Sequence, residues 1–291
     1  MKKILITGAN SYIGTSFEKY MAQWPDEYQV DTIDMVDGSW RDKSFSGYDS
    51  VFHVAGIAHQ DSGKITEERK QLYYKVNTDL AIETARKAKV ENVPQFILMS
   101  SMIIYGASSK MGENKVITID TAPAPVGAYG DSKLKADIGV RGLAESDFCV
   151  SVLRPPMIYG PNCKGNYPML SKAARLLLFF PDFNNSRSML FIGNLCAFIK
   201  MIIDNSNSGI FFPQNEEHVS TSCVVCEIAY AHGKKIKLTK IFNPLLRMLS
   251  GRITLVDKVF GNMVYDKDLP GFGSEGAPYT FQHSIKESEV M

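Results

Sequence analysis

The sequence predicts an α/β protein built on a doubly wound parallel sheet, followed by a smaller second α/β region. Three observations carry this expectation. Short apolar strands alternate with longer helical patterns through the first half, a glycine-bearing turn follows the first strand, and the regularity breaks after residue 155. A chain of 291 residues has room for both parts.

Taken in order, the first strand is "KILIT", and the stretch "YIGTSFEKYMAQW" after it places apolar residues at helical spacing. The strands "QVDTID" and "SVFHVAG" come next, then the helical stretch "RKQLYYKVNTDLAIETARKAK" and the strand "QFILMSS". The helical stretch "AYGDSKLKADIGVRGLAES" and the strand "CVSVLRP" complete the sheet. Pro, Gly and Asn then cluster in "LRPPMIYGPNCKGNYP". This divides the chain at 1–155 and 156–291, with 188–206 expected to pack back on the first part. In the second part "MLSKAARLLLFF" reads as a helix, "PDFNNSR" as a loop, "MLFIG" as a strand and "GFGSEGAPY" as the most loop-like piece.

Composition narrows the partners. Lys plus Arg number 32 against 31 for Asp plus Glu, and the net charge of +1 gives no overall field to recruit nucleic acid or an anionic membrane, so a small molecule is the expected partner. The start "MKKILITGAN" has too short an apolar run for a signal peptide, and no later run approaches the ~20 residues that span a bilayer. The expectation is a soluble, cytoplasmic protein with no membrane partner. Five cysteines, an odd number, argue against a disulfide framework. Cys223 and Cys226, with His218 and His232 nearby, have zinc-like spacing, but "TSCVVCEIAYA" also reads as a capped helix, so buried thiols and no metal are expected.

Two motifs carry chemistry. In "ITGANSYIG", Gly8 and Gly14 stand where backbone N–H groups at a helix N-terminus can meet a pyrophosphate, and Ser11 is small enough to let it approach. Asp34, at the end of the second strand, can accept from both adenosine ribose hydroxyls. This favours NAD, while Arg41 and Lys43 keep NADP open. In "AYGDSK", Tyr129 and Lys133 leave one face of a helix. A neighbouring ammonium and a nicotinamide cation would stabilise the Tyr129 phenolate and make it a usable acid/base. A serine of "LMSS", Ser100 or Ser101, ends the strand beside them and can orient a reacting oxygen.

With "TGANSYIG", "HVAGIAH", "VNT", "SSMIIYG", "YGDSK", "LRPPMIYGP", "GNYP" and "RSMLFIGNL", the chain resembles the extended short-chain dehydrogenases/reductases, in the NAD-dependent epimerase/dehydratase branch that acts on nucleotide sugars. The resemblance implies a Rossmann sheet. It gives Gly8, Ser11, Tyr12, Ile13 and Gly14 to the phosphate loop, Asp34 to the ribose, Ala55, Gly56 and Pro156 to the cofactor's path, and Asn77 to support of the site. Ser39 and Trp40 match an adenine-contacting pair, although 34–49 is too short for the usual helix. The spacing to Tyr105 picks Ser101 over Ser100 and completes a Ser101, Tyr129, Lys133 set. Asn166 and Arg187 match contacts to the substrate diphosphate, and Leu178, Phe179 and Phe180 lie near the family's uracil site or in the core.

Sugar-dehydrating relatives carry Asp and Glu directly after the serine, where this chain has Met102 and Ile103; neither can move a proton. What the resemblance leaves is redox at C4 of a nucleotide-linked hexose, by a UDP-sugar 4-epimerase or by a 4-ketoreductase of surface-polysaccharide synthesis. A non-catalytic dinucleotide-sensing protein is the reading from a different class. A homodimer through helices including the one that bears Tyr129 is also implied.

Overall fold

The computed structural model describes residues 1–57, 65–273 and 276–289; the end of "HVAGIAH" and the middle of "GFGSEGAPY" lie outside the described residues. Along the chain come β1 (Lys2–Thr7), α1 (Tyr12–Met21), β2 (Tyr28–Ile33), β3 (Ser50–His53), α2 (Glu67–Tyr73) and α3 (Leu80–Val90). There follow β4 (Gln95–Met99), β5 (Val116–Ile117), α4 (Gly127–Arg141), β6 (Cys149–Leu153), β7 (Met157–Tyr159), α5 (Tyr167–Leu176) and β8 (Phe179–Pro181). The rest is β9 (Met189–Phe191), α6 (Ile192–Asp204), β10 (Gly209–Phe211), α7 (Thr221–Ala231), β11 (Lys237–Thr239), α8 (Asn243–Leu249), α9 (Thr254–Phe260), β12 (Val264–Tyr265) and α10 (Phe281–Glu289).

The chain divides into two compact units. The first comprises Met1–Gly106, Ala122–Pro155 and Cys196–Phe212, and the second Ala107–Thr121, Pro156–Leu195 and Pro213–Met291. Short segments thus cross a simple cut at 155: 107–121 goes with the second unit and 196–212 with the first.

In the first unit six strands form one sheet in the order β10-β6-β4-β3-β1-β2, and every neighbouring pair is parallel. The chain leaves β1 in one direction to form β2 and returns on its other side as β3, so a switch point opens beyond the carboxyl ends of β1 and β3, where ligands bind in such sheets. Leu5, Val51, Phe96, Leu98, Val150 and Val152 of the strands pack on Ala81, Ala85 and Ala88 of α3 and on Ala136 and Val140 of α4. The alanines let the helices lie close to the sheet, and each buried larger aliphatic contributes about 1.5–3 kcal/mol.

The structure redraws some expected elements. The continuous helix over 69–89 is two helices joined by a π turn, Tyr74–Asp79. The expected helix "MLSKAARLLLFF" stops at Leu176, and Phe179–Pro181 instead pairs with the distant Lys237–Thr239 as a strand. In "MLFIG", strand pairing ends at Phe191 and Ile192 already begins α6. Between β2 and β3 there is room only for a 3₁₀ turn, Ser39–Asp42. Cys223 is exposed and Cys226 half-buried, which corrects the expectation of buried thiols. Among the described residues no group of three or more His, Cys, Asp or Glu could hold a metal ion.

Candidate active site

The turn after β1 is shaped by close approach. Gly8 has φ +116°, and a Cβ there would lie 2.7 Å from the Ala55 backbone N, so only glycine fits. Ser11 caps α1, its Oγ accepting from the Gly14 N–H at 3.1 Å, which leaves the hydroxyl proton to donate outward. Tyr12, Ile13 and Gly14 form the first turn of this helix. Gly8, Ser11, Asp34, Trp40, Ala55 and Gly56 line one cavity of about 900 Å³, within the size range of small-molecule clefts.

The cavity's far side is acidic. Asp34 is exposed past the end of β2, its Oδ1 accepting from the Val36 N–H at 2.8 Å, and Asp37 and Glu83 line the same space. Arg41 also lines this space. It is held by Glu83 in a two-pronged pair, Nε–Oε1 at 2.5 Å and Nη2–Oε2 at 2.6 Å, with its guanidinium 4.6 Å from the Trp40 ring centre. Trp40 also serves the core, fully buried beside Phe45, whereas Ser39 is exposed and donates to Asp37 at 2.7 Å.

The second cluster forms where α4 starts. Its first turn lies on the turn Met102–Tyr105: a Cβ at Gly130 would lie 3.3 Å from the Ile103 carbonyl oxygen. Tyr129 packs with Tyr73 at 5.6 Å between ring centres. Lys133, one helical turn on, donates from Nζ to the Met99 carbonyl at 3.0 Å and stands against Gly56 and Asn77. Asn77 lies in the π turn; its Oδ1 accepts from the Ile57 N–H at 2.8 Å and its Nδ2 donates to Ser132 Oγ at 3.2 Å. Such turns recur at functional sites, and this one aims Asn77 at the strand end of β3.

The electrostatics differ from the simple expectation. Burial, with Tyr73 adding to it, pushes the Tyr129 phenol up to about 12, and burial lowers the Lys133 ammonium to about 8. The chain's own groups therefore keep Tyr129 protonated, and Lys133 alone does not turn it into a base.

The two serines have separate employment. Ser100 is buried and donates from Oγ to Asp137 at 3.1 Å. Ser101 is half-buried in extended backbone, and its Oγ caps the following turn by accepting from the Ile103 N–H at 3.2 Å. Asp137 also pairs with Arg154 through Nε and Nη2, both at 2.8 Å, and with Arg141 at 2.8 Å, while Arg154 donates to the Tyr105 hydroxyl at 2.6 Å. Met102 is buried and its N–H donates to the Pro155 carbonyl at 2.8 Å. Sequence reasoning missed this network; its one local signal is the i, i+4 pair Asp137 and Arg141.

In the second unit Asn166 and Arg187 line one narrow recess. Arg187 is no solvated loop residue: its backbone pairs with Val219, its Nη1 donates to the Lys258 carbonyl at 2.7 Å and the Gly261 carbonyl at 3.3 Å, and burial lowers its pKa. Pro156 is buried just before β7, Leu178 and Phe179 are exposed, and Phe180 is buried.

Fold and cavity together define a class, an α/β protein with a dinucleotide-sized cleft at the β1/β3 switch point of a Rossmann sheet. Within that class the chain belongs to the NAD dependent epimerase/dehydratase family, whose model matches residues 4–211. A UDP-glucose 4-epimerase of Vibrio cholerae is 28% identical to it, over 99% of this chain and 94% of that protein. An N-acetyl-alpha-D-glucosaminyl-diphospho-ditrans,octacis-undecaprenol 4-epimerase of Escherichia coli O157:H7 is 26% identical, over 85% of this chain and 77% of that protein. Among solved structures, a dTDP-4-dehydrorhamnose reductase from Clostridium acetobutylicum shares the fold with a TM-score of 0.73 at 19% identity, covering 98% of both chains.

Proposed function

We propose that this protein is an NAD-dependent 4-epimerase of a nucleotide-linked hexose, UDP-glucose type. Membership in an enzyme family weighs against the non-catalytic sensing role. What supports the reading is that the helical turn bearing Tyr129 lies on the turn that Ser101 caps, and that Lys133 stands against Gly56, which lines the acidic, glycine-floored cavity. The residues present fit NAD. Gly8 and the start of α1 suit a pyrophosphate, Asp34 suits the ribose hydroxyls, and the carboxylates of Asp34, Asp37 and Glu83 along the cavity disfavour a 2′-phosphate.

NAD, which Gly8, Ser11 and Asp34 would hold, would supply the acceptor for the C4 hydride, the donor that gives it back, and a positive charge that favours the phenolate. Tyr129 takes the proton of the C4 hydroxyl as the 4-keto sugar forms and returns it once the sugar has presented its other face. Ser101 donates to the same oxygen and holds it in line. Lys133, charged at neutral pH even with its pKa near 8, holds the cofactor ribose and favours the phenolate once a second positive charge is present. Asn77 keeps this corner in shape through Ile57 and Ser132. Met102 and Ile103 offer no acid or base, so the 4-keto sugar is not carried on to loss of water. Arg187 and Asn166 supply donors for the diphosphate.

The similarity to an epimerase named for a lipid-diphosphate sugar supports a second reading, in which the same recess takes a diphosphate attached to a lipid carrier. One experiment tests the main proposal. The purified protein should interconvert UDP-glucose and UDP-galactose, or their N-acetylated counterparts, without added cofactor. Tyr129→Phe should lose at least about a hundredfold in kcat while still binding NAD. A need for stoichiometric NADPH would replace the epimerase with the 4-ketoreductase, and undiminished turnover in Tyr129→Phe would remove the mechanism.

A further inference from the structure

The net charge of +1 averages over a strongly uneven distribution. Residues 233–256 carry Lys234, Lys235, Lys237, Lys240, Arg247 and Arg252 and no acidic side chain. The same stretch of the second unit leaves apolar groups in the open. Ile241, Leu245 and Met248 are 82%, 53% and 57% exposed, and their i, i+4, i+7 spacing sets them in one stripe along and just before α8. No residue of α8 is buried.

A second apolar group adjoins this stretch. Leu176, Leu177, Leu178 and Phe179 are all exposed, and β8 pairs with β11 so that Phe179 stands beside Lys237. Lys234 binds the carbonyls of Arg175 and Leu177, both at 2.8 Å, which ties the basic segment to the apolar one. Asp182, 4.0 Å from Lys240, is the carboxylate nearest to that lysine, and Asp257 just beyond the segment is occupied by the Ser250 hydroxyl and the Gly251 N–H.

We propose that this face of the second unit docks on an anionic lipid bilayer, with the apolar stripe at the level of the acyl boundary and the lysines and arginines among the headgroups. About half of the large apolar side chains exposed on the described residues fall in these two segments, more than a soluble surface leaves together without a partner. An aliphatic stripe bordered by Lys and Arg is the composition of helices that lie in a membrane interface. A second copy of the chain is a poor occupant. A two-fold contact would set six cations against six. No helix among the described residues is long and apolar enough to cross a membrane, so the contact is peripheral.

The test uses the full chain carrying Tyr129→Phe, so that vesicle binding is read without turnover, and its outcome is independent of the epimerase proposal. Flotation with phosphatidylcholine vesicles is compared with flotation on vesicles containing about one third phosphatidylglycerol. Binding is expected on the anionic vesicles at least about tenfold above the neutral ones, and it should fall as salt rises. Leu245→Glu with Met248→Glu, and separately Lys235→Gln with Lys237→Gln and Lys240→Gln, should each reduce binding at least about tenfold with the melting temperature unchanged. Equal recovery on both vesicle types overturns the proposal, as does binding that survives both sets of substitutions. A concentration-dependent dimer that Leu245→Glu dissociates, without vesicle binding, assigns the face to a second copy and overturns it as well.

Discussion

Replacing Asp137 by Ala should cost more than any other single carboxylate in the first unit. Its carboxylate is fully buried and accepts from Arg154 twice, from Arg141 and from Ser100. Arg141 is 37% exposed and can turn to water, but the Arg154 side chain is 6% exposed and would lose the carboxylate that neutralises it. Breaking a buried pair from one side costs about 3–5 kcal/mol, a large share of the 5–15 kcal/mol that holds a typical domain. The contrast within the same unit is Arg41 with Glu83. That pair has equally good geometry, but its side chains are 50% and 45% exposed, so Glu83→Ala should cost no more than about 1 kcal/mol. Urea unfolding followed by tryptophan fluorescence suits the comparison, because both tryptophans, Trp24 and Trp40, belong to the first unit. Asp137→Leu combined with Arg154→Met should regain much of the loss, since an apolar pair strands no charge. A loss below about 1 kcal/mol for Asp137→Ala, equal to that for Glu83→Ala, would refute the claim that this network anchors the strand end bearing the serines.

His53 gives a pH dependence. It is fully buried against Phe96, and burial, with Lys133 adding to it, holds its pKa down at about 3 against an ordinary 6.5. A depressed folded pKa means that its contribution is fully present above pH 6.5 and is lost as pH falls. By pH 5 it should have cost about 2 kcal/mol, and His53→Gln should flatten the stability profile between pH 6.5 and 5; an unchanged slope would contradict this. The serines should separate by readout. Ser101→Ala should lower kcat by about tenfold or more with little change in stability, whereas Ser100→Ala should cost about 1 kcal/mol with kcat nearly kept. The reverse pattern, measured by steady-state kinetics and urea unfolding, would return the choice to Ser100.

How much could be read in advance depended on how local the cause was. The strands and the phosphate turn were legible because alternation, helical period and the Gly8 to Gly14 spacing act over a few residues. Ser101 could be singled out only through family spacing to Tyr105, yet the structure shows a physical difference, since Ser100 is committed to Asp137. The π turn that presents Asn77 was not legible, because nothing in "YYKVNTD" breaks the apolar period. Nor was the end of α5, which depends on a partner strand 58 residues away, Lys237 beside Phe179. Arg41 shows the same limit. Its nearness to Asp34 in sequence suggested a phosphate ligand, and only the fold brings up Glu83, 42 residues on, to engage it.

The central claim, that hydride leaves C4 and returns to it within one protein molecule, is tested most directly with UDP-glucose carrying deuterium at C4. Incubated with the purified protein and no added cofactor, the label should be found at C4 of both epimers. Loss of the label to solvent, or conversion only when NADPH is supplied, would contradict the account.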